Sequence, residues 1–278
     1  LVQKVTNTSG SEEDASEKYS GLTGTPEMKK WYNEHGEDVY IMSDSLRLHG
    51  KIFKNNSSKY VLVCHGYPSK AKHMAGFVNK FYSLGYNVLA ADARAHGDSE
   101  GTKIGMGWPE RFDVIEWIKL IISWEPNAQI ILHGVSMGAA TVLMASGEEL
   151  PENVKGIIAD CGYTSEWDEF KCEANALHIP WFPVLNAASV MSRLRDGYDF
   201  KQASALEKVK QSRIPTLFIH GSDDELVPYS MLDKLYSAAA CEKECLTVNG
   251  AGHALSSSVE PELYWNTVES FIDKYLEK

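Results

Sequence analysis

The sequence predicts a protein of the α/β class, with a mostly parallel central sheet and helices on both of its faces. Short apolar runs predict strands near residues 60–64, 87–92, 129–133, 155–160, 215–220 and 244–249. Helical patterns lie between these runs, most clearly over residues 109–124 and 261–276. Strands that alternate with helices indicate a parallel sheet that is covered on both sides. A β-hairpin is also predicted, over residues 38–54.

One long segment interrupts this alternation. Between Cys161 and Ile214 no strand-like run occurs, and prolines interrupt an aromatic-rich helical pattern. We expect residues 163–209 to form a helical cap within one domain that spans residues 25–278, after a polar leader over residues 1–24. Trp181 and Phe182 are predicted to line a substrate pocket beneath this apolar cap.

The composition indicates one globular domain with a large core. The chain has 278 residues, of which 44% are hydrophobic, and a single α/β domain of this length is ordinary. The formal net charge of −11 argues against nucleic acids and anionic membrane surfaces as partners. No apolar run reaches the length of a transmembrane helix.

Neither the cysteines nor the motifs indicate a metal or a cofactor. The five cysteines are scattered and odd in number, which does not suggest a disulfide framework. Cys241 and Cys245 lack a second pair of ligands, so we expect no zinc site. The sequence also has no glycine-rich nucleotide-binding or dinucleotide-binding motif. We therefore expect no metal and no cofactor.

One serine has the surroundings of a catalytic nucleophile. Residues 134–138 read Gly-Val-Ser-Met-Gly, after an apolar run and before a helical pattern. The predicted strand, sharp turn and helix would strain the backbone of Ser136 and hold its hydroxyl clear of the sheet. Small residues on either side would let the strand and the helix approach each other closely. The N–H groups of the helix would face a developing negative charge.

Chain order then predicts the base. A serine in this context is followed by an acid and then by a histidine. An acidic turn at residues 223–225 follows a predicted strand, and His253 is the only histidine after it. Other histidines next to glycines at strand ends or turns are predicted to be packed, namely His65, His96, His133 and His220.

The residues alone do not decide which acidic side chain would pair with His253. Asp223, Asp224 and Glu225 are adjacent in the acidic turn, and only one of them can point at the imidazole. Asp160, at the end of an earlier predicted strand, is a fourth candidate.

Over residues 30–278 the chain resembles α/β-hydrolases with a serine nucleophile, and among them the bacterial YqkD-like hydrolases. These are relatives of prolyl-oligopeptidase-type peptidases and acyl-thioesterases. The segments that carry the resemblance are 65–67, 92–101, 105–108, 134–140, 160–165, 220–228 and 252–253. Members of this family often carry an N-terminal hydrophobic anchor. The resemblance therefore implies a bacterial protein that is either cytoplasmic or anchored outside the membrane by a segment that precedes this chain.

The resemblance also implies roles for particular residues. The family pattern over residues 220–228 has its acid at the fifth position, which is Asp224 in this chain. The N–H groups of Tyr67 and Met137 would form the oxyanion hole. Two positions depart from the family pattern, because Ala95 and Ser45 stand where the family usually has glycine.

Together these features predict a serine hydrolase that cleaves a small carboxylic ester through an acyl-enzyme, with Ser136, Asp224 and His253 as its triad. The same machinery serves thioesterases and small peptidases or amidases, which remain alternatives. A binding protein that retains the fold without catalysis is a further alternative, although such proteins usually lose a member of the triad. The oligomeric state is left open.

Overall fold

A computed structural model describes residues 24–276 of the chain. These residues form one eight-stranded sheet in the order β1-β2-β4-β3-β5-β6-β7-β8. The strands are β1 Glu37–Ser43, β2 Leu46–Phe53, β3 Lys59–Cys64, β4 Asn87–Ala91, β5 Gln129–Val135, β6 Val154–Asp160, β7 Thr216–Gly221 and β8 Lys243–Val248. β2 pairs with β1 and β4 in antiparallel fashion, and the other pairs are parallel. The predicted fold class is confirmed.

Helices connect most of the parallel strands. They are α1 Pro26–His35, α2 Ala75–Ser83, α3 Glu110–Trp124, α4 Met137–Ala145, α5 Glu166–Ala176, α6 Trp181–Asp196, α7 Ala205–Val209, α8 Ser230–Ala238, α9 Ser256–Val259 and α10 Pro261–Tyr275, with a 3-10 turn at Ala71–Met74. Among the residues that the structure describes, no helix combines the length and apolar character that a membrane crossing requires.

The sheet separates two hydrophobic cores. Along β3, Leu62 belongs to one core, while Val61 and Val63 belong to the other. Successive side chains of a strand point to opposite faces, so this alternation explains why the central strands read as continuous apolar runs. Strand β5 extends two residues beyond its predicted end, because Gly134 and Val135 pair with the end of β6.

The long segment after β6 contains α5, α6 and α7, and its only strand-like pairing among the described residues is a bridge between Ser165 and Ser204. Its predicted role as a cap, and the division of the chain at residue 25, stay predictions. The proposed leader lies outside the described residues except for Gly24.

The two departures from the family pattern share one backbone conformation. Asp44 and Ser45 form the two-residue turn between β1 and β2, with φ angles of 46° and 64°. Two positive φ values match the right-handed twist of a hairpin and favour glycine. Ala95 likewise has a φ of 62°. The chain therefore holds L-residues where glycine would carry less strain.

We expect Ser45→Gly to raise the free energy of unfolding by about 0.5–1 kcal/mol, because glycine adopts the left-handed conformation without a Cβ clash. Thermal or urea unfolding followed by circular dichroism would measure the change. Ser45→Ala is the matched control, since it removes the hydroxyl but keeps the Cβ, and it should give no gain. Equal stabilisation by both variants would contradict backbone strain as the cause.

Candidate active site

Ser136 lies at the sharp turn between β5 and α4. Its φ of 57° and ψ of −119° are strained for an L-residue. A Cβ at Gly134 would lie 2.3 Å from the carbonyl oxygen of Gly138, and a Cβ at Gly138 would lie 2.2 Å from that of Cys64. Both glycines are therefore required by the close approach of β3, β5 and α4, as the sequence predicted.

A continuous chain of hydrogen bonds runs from this serine. Ser136 Oγ lies 2.9 Å from His253 Nε2, and His253 Nδ1 lies 2.8 Å from Asp224 Oδ2. The structure thus brings together the three residues that the sequence singled out, which are distant in the chain. A serine hydroxyl, an imidazole and a carboxylate in this order can transfer a proton from the hydroxyl to the ring.

The carboxylate of Asp224 is held from several sides. Its Oδ1 accepts hydrogen bonds from the N–H groups of Leu226 at 3.0 Å and Val227 at 2.8 Å. His220 Nε2 lies 3.2 Å from Oδ2 and 2.9 Å from the carbonyl oxygen of Val227. Because a carbonyl only accepts, this nitrogen of His220 carries a proton. Burial alone would raise the pKa of Asp224, but the hydrogen bonds from His220 and His253 lower it to about 2.

The charge of Asp224 defines the tautomer of His253. An ionised carboxylate only accepts hydrogen bonds, so Nδ1 of His253 donates to it. Nε2 is then the acceptor for the hydroxyl proton of Ser136. This is the arrangement that a general base requires.

The other candidate acids lie elsewhere. Asp223 is exposed and accepts a hydrogen bond from the hydroxyl of Ser222 at 2.6 Å, and Glu225 is exposed. Asp160 is buried at the end of β6, and its backbone carbonyl accepts the N–H of Ser136 at 2.9 Å. Burial raises the pKa of the Asp160 carboxyl to about 6.

The loop after β3 lies against the serine. A Cβ at Gly66 would approach Ser136 Cβ to 3.0 Å. The buried His65 fixes this loop, because its Nδ1 donates to the Gly66 carbonyl at 2.8 Å and its Nε2 accepts the N–H of Ala93 at 3.0 Å. Tyr67 follows in the loop, and Met137 follows Ser136 at the start of α4. The backbone N–H groups of these two residues thus belong to segments that flank the hydroxyl.

The predicted pocket residues lie on the segment after β6. Trp181 is half-buried, whereas 66% of Phe182 is exposed. Their rings contact each other at 6.2 Å between centroids, and Trp181 also contacts Trp167 at 6.4 Å. Phe182 departs from helical geometry, so the regular part of α6 follows it. Contact of Trp181 and Phe182 with a substrate stays a prediction.

Sequence reasoning missed two buried carboxyls at the start of α5. Glu166 and Glu169 are each 3% exposed, and Oε2 of each has no hydrogen-bond partner among the described residues. Burial raises the pKa of Glu166 to about 9, with Glu110 adding to the effect, and that of Glu169 to about 8, with Glu173 and Asp224 adding to it. Both carboxyls are therefore protonated at neutral pH. The contribution of Asp224 to the pKa of Glu169 indicates that α5 lies near the hydrogen-bonded Ser136, His253 and Asp224.

Two groups of side chains in the described part of the chain have three potential ligand atoms within 4.8 Å of one another. One comprises Cys161, Asp224 and His253, of which the last two already hydrogen-bond to each other. The other comprises His49, Asp92 and Asp98, in which His49 Nδ1 lies 2.7 Å from Asp92 Oδ2. Existing hydrogen bonds thus occupy ligand atoms in both groups.

Comparison with known proteins places the chain among α/β-hydrolases. Residues 55–204 match the Hydrolase_4 family, which is described as "Serine aminopeptidase, S33". YqkD of Bacillus subtilis (strain 168) is 30% identical over 215 residues, which cover 77% of this chain and 70% of YqkD.

Two further relatives have descriptive names. Lysophosphatidylserine lipase ABHD12 of Macaca fascicularis is 28% identical over 213 residues, which cover 76% of this chain but only 50% of that protein. The esterase Pf2001 of Pyrococcus furiosus superposes with a TM-score of 0.74 at 26% identity, and the match covers 91% of this chain and 95% of the esterase.

The two buried glutamates of α5 give a testable pH dependence. Their pKa values of about 9 and about 8 lie above the unfolded value of roughly 4.3. The unfolded chain therefore loses these protons first, and stability falls as the pH rises from about 4 towards 8–9. We expect Glu169→Gln to be more stable than the unsubstituted protein by roughly 4 kcal/mol at pH 8 and by only roughly 1 kcal/mol at pH 5.

Urea unfolding at both pH values would test this expectation. Glu225→Gln, at an exposed position, is the matched control. It should change the free energy of unfolding by the same small amount at pH 5 and at pH 8. A gain from Glu169→Gln that is the same at pH 5 and pH 8 would contradict a protonated carboxyl in the folded state.

Proposed function

Because this chain belongs to the Hydrolase_4 family of α/β-hydrolases, we propose that it is a serine hydrolase that cleaves carboxylic esters through an acyl-enzyme. The observation that carries the proposal is the hydrogen-bond chain from Ser136 through His253 to Asp224, with distances of 2.9 and 2.8 Å. Its serine lies at a strained strand-to-helix turn, where a nucleophile is exposed to an incoming carbonyl.

The first half of the reaction forms the acyl-enzyme. Ser136 Oγ attacks the ester carbonyl carbon while its proton moves to Nε2 of His253, and the carbonyl oxygen becomes an oxyanion. The tetrahedral intermediate collapses, the bond to the alcohol oxygen breaks, and His253 gives its proton to the departing alcohol. Asp224 stays ionised throughout, because its hydrogen bonds hold its pKa at about 2, and it stabilises the imidazolium.

The second half regenerates the enzyme. A water molecule gives a proton to Nε2 of His253 and attacks the acyl carbon, and collapse returns the proton to Ser136 Oγ and releases the carboxylic acid. The backbone N–H groups of Tyr67 and Met137 would donate to both oxyanions. The two groups are well suited to this role, since Gly66 lets the loop approach Ser136 and α4 begins at Met137.

Two observations favour an ester over an amide or a thioester. The structural relative with a TM-score of 0.74 is an esterase, and the sequence relative ABHD12 is named a lysophosphatidylserine lipase. The family description as an aminopeptidase keeps peptide amides as the second candidate.

The pocket would lie between the triad and the segment over residues 163–209. Two long-range electrostatic interactions support this position of α5. The charge of Asp224 adds to the raised pKa of Glu169, and the pKa of Tyr67 is raised first by burial and then by the charge of Glu173. Trp181 and Phe182 would then provide apolar surface for a small-molecule ester at one end of this segment.

A fluorophosphonate probe and a substrate panel test the proposal. The probe should label Ser136, as located by mass spectrometry, and Ser136→Ala should show no labelling. In the panel, p-nitrophenyl esters should be cleaved with a higher kcat/KM than acyl-thioesters or peptide amides. Folded protein that resists the probe would refute the serine mechanism. A preference for thioesters or amides would be compatible with the serine mechanism but would change the proposed substrate class.

We expect Asp224→Asn to lower kcat by about 10⁴-fold, because the amide would hold the wrong tautomer of His253. Steady-state kinetics on a p-nitrophenyl ester would measure this. Asp223→Asn and Glu225→Gln are matched controls in the same turn and should stay close to the unsubstituted enzyme. A severe loss from Asp160→Asn with a mild one from Asp224→Asn would reverse the assignment of the acid.

A further inference from the structure

Exposed apolar side chains are concentrated on one part of the surface. Seven of the fourteen large hydrophobic residues that are exposed among residues 24–276 lie between positions 177 and 194. We call them the cap apolar face: Leu177, Ile179, Phe182, Val184, Val190, Met191 and Leu194. Leu194 is 76% exposed and Leu177 is 70% exposed. Such a concentration of exposed apolar residues in one segment is typical of an interaction surface, whereas single exposed apolar residues are ordinary.

Helix α6 differs from a usual surface helix, because serines lie on its buried side and apolar residues lie on its exposed side. Its buried positions are Leu185, Ser189 and Ser192, which recur at helical spacing on one side. At 100° per residue, Val184, Val190, Met191 and Leu194 fall on the opposite side, towards solvent. Hydrogen bonds hold the inner side, since Ser189 Oγ accepts the N–H of Phe200 at 3.2 Å and Ser192 Oγ donates to the carbonyl of Tyr198 at 2.9 Å.

The charge around the cap apolar face differs from that of the whole chain. The chain has a net charge of −11, yet residues 174–195 contain no Asp or Glu. They do contain Arg193 and Arg195, which are exposed. Arg193 Nη1 lies 3.6 Å from Asp199 Oδ2, an exposed ion pair of a kind that contributes little to stability, whereas Arg195 forms no ion pair among the described residues. On the helical wheel these arginines lie on either side of the apolar stripe. Long cationic side chains at the edges of an apolar stripe can reach phosphate groups while the stripe enters an apolar layer.

From this juxtaposition we infer that the cap apolar face docks on a phospholipid surface, with Arg193 and Arg195 on the headgroup phosphates. A second copy of this chain is a poorer partner, because a symmetric contact would bring together two apolar stripes that both have exposed arginines at their edges. The net charge argued against anionic membranes, but it averages over the whole surface. At physiological salt a charge acts over only about 8 Å, so carboxylates elsewhere on the surface contribute little. The two acids that follow the arginines, Asp196 and Asp199, pair with Lys103 and Arg193. The inference stands apart from the proposed esterase activity.

Vesicle flotation tests the inference with two lipid compositions, pure phosphatidylcholine and an equimolar mixture with phosphatidylglycerol. The protein should float with both, with a higher bound fraction on the mixture that falls as salt is added. Val190→Asn/Leu194→Asn should lower the partition coefficient by about tenfold or more, because two apolar side chains leave the stripe. The matched control Met42→Asn/Leu263→Asn, at exposed positions outside the cap, should bind like the unsubstituted protein.

A second pair of variants tests the charge separately. Arg193→Gln/Arg195→Gln should reduce the preference for the phosphatidylglycerol mixture, whereas Lys119→Gln/Arg213→Gln, which changes the net charge equally at exposed positions, should not. Circular dichroism would establish that each variant is folded.

Three outcomes would overturn the inference. The protein could remain unbound to both vesicle types, or the cap and control variants could lose binding equally. Light scattering could instead show a dimer that Val190→Asn/Leu194→Asn converts to a monomer, which would make a second copy the partner. Hydrolysis of a soluble p-nitrophenyl ester, measured in parallel, should be unchanged in these variants. A failed esterase proposal would therefore appear separately from failed docking.

Discussion

The site depends on the close approach of three backbone segments around Ser136. The end of β3, the end of β5 and the start of α4 meet at Gly134 and Gly138, where no Cβ fits. The strained φ of 57° at Ser136 persists because its N–H is bound by the carbonyl of Asp160 at 2.9 Å and its carbonyl by the N–H of Ala140 at 3.0 Å. The hydroxyl position is thus defined by packing and hydrogen bonds of the main chain, before any side chain contributes.

The other residues of the site lie at the same edge of the sheet because of the strand topology. β3, β5, β7 and β8 are parallel, so their carboxyl ends lie at one edge. The loops after β7 and β8 carry Asp224 and His253 to Ser136. Burial of an isolated carboxylate would be costly. Two N–H groups and two histidines offset this cost for Asp224, which lets this buried residue remain ionised and orient the ring of His253.

Sequence patterns predicted those features that depend on local chemistry. The strands were predictable because both sheet faces are covered, which makes each central strand a continuous apolar run, and the glycine spacing indicated the turn at Ser136. The choice of Asp224 among adjacent acids needed the family pattern, since their order in a turn does not tell which one points inward. His220 beside Asp224 and the buried Glu166 and Glu169 could not be predicted, because glutamates in a first helical turn are typical of an exposed end.

The segment over residues 163–209 also shows why burial is hard to infer from hydropathy alone. An apolar stripe on a helix predicts an inward face, yet α6 places Ser189 and Ser192 inside and Leu194 outside. The hydrogen bonds of Ser189 and Ser192, together with the buried Leu185, hold this helix to its neighbours. Glu166 and Glu169 of α5 are buried as neutral acids. Any motion that brings these carboxyls into water would restore their ordinary pKa and release protons at neutral pH. Rising pH therefore favours loosening of α5.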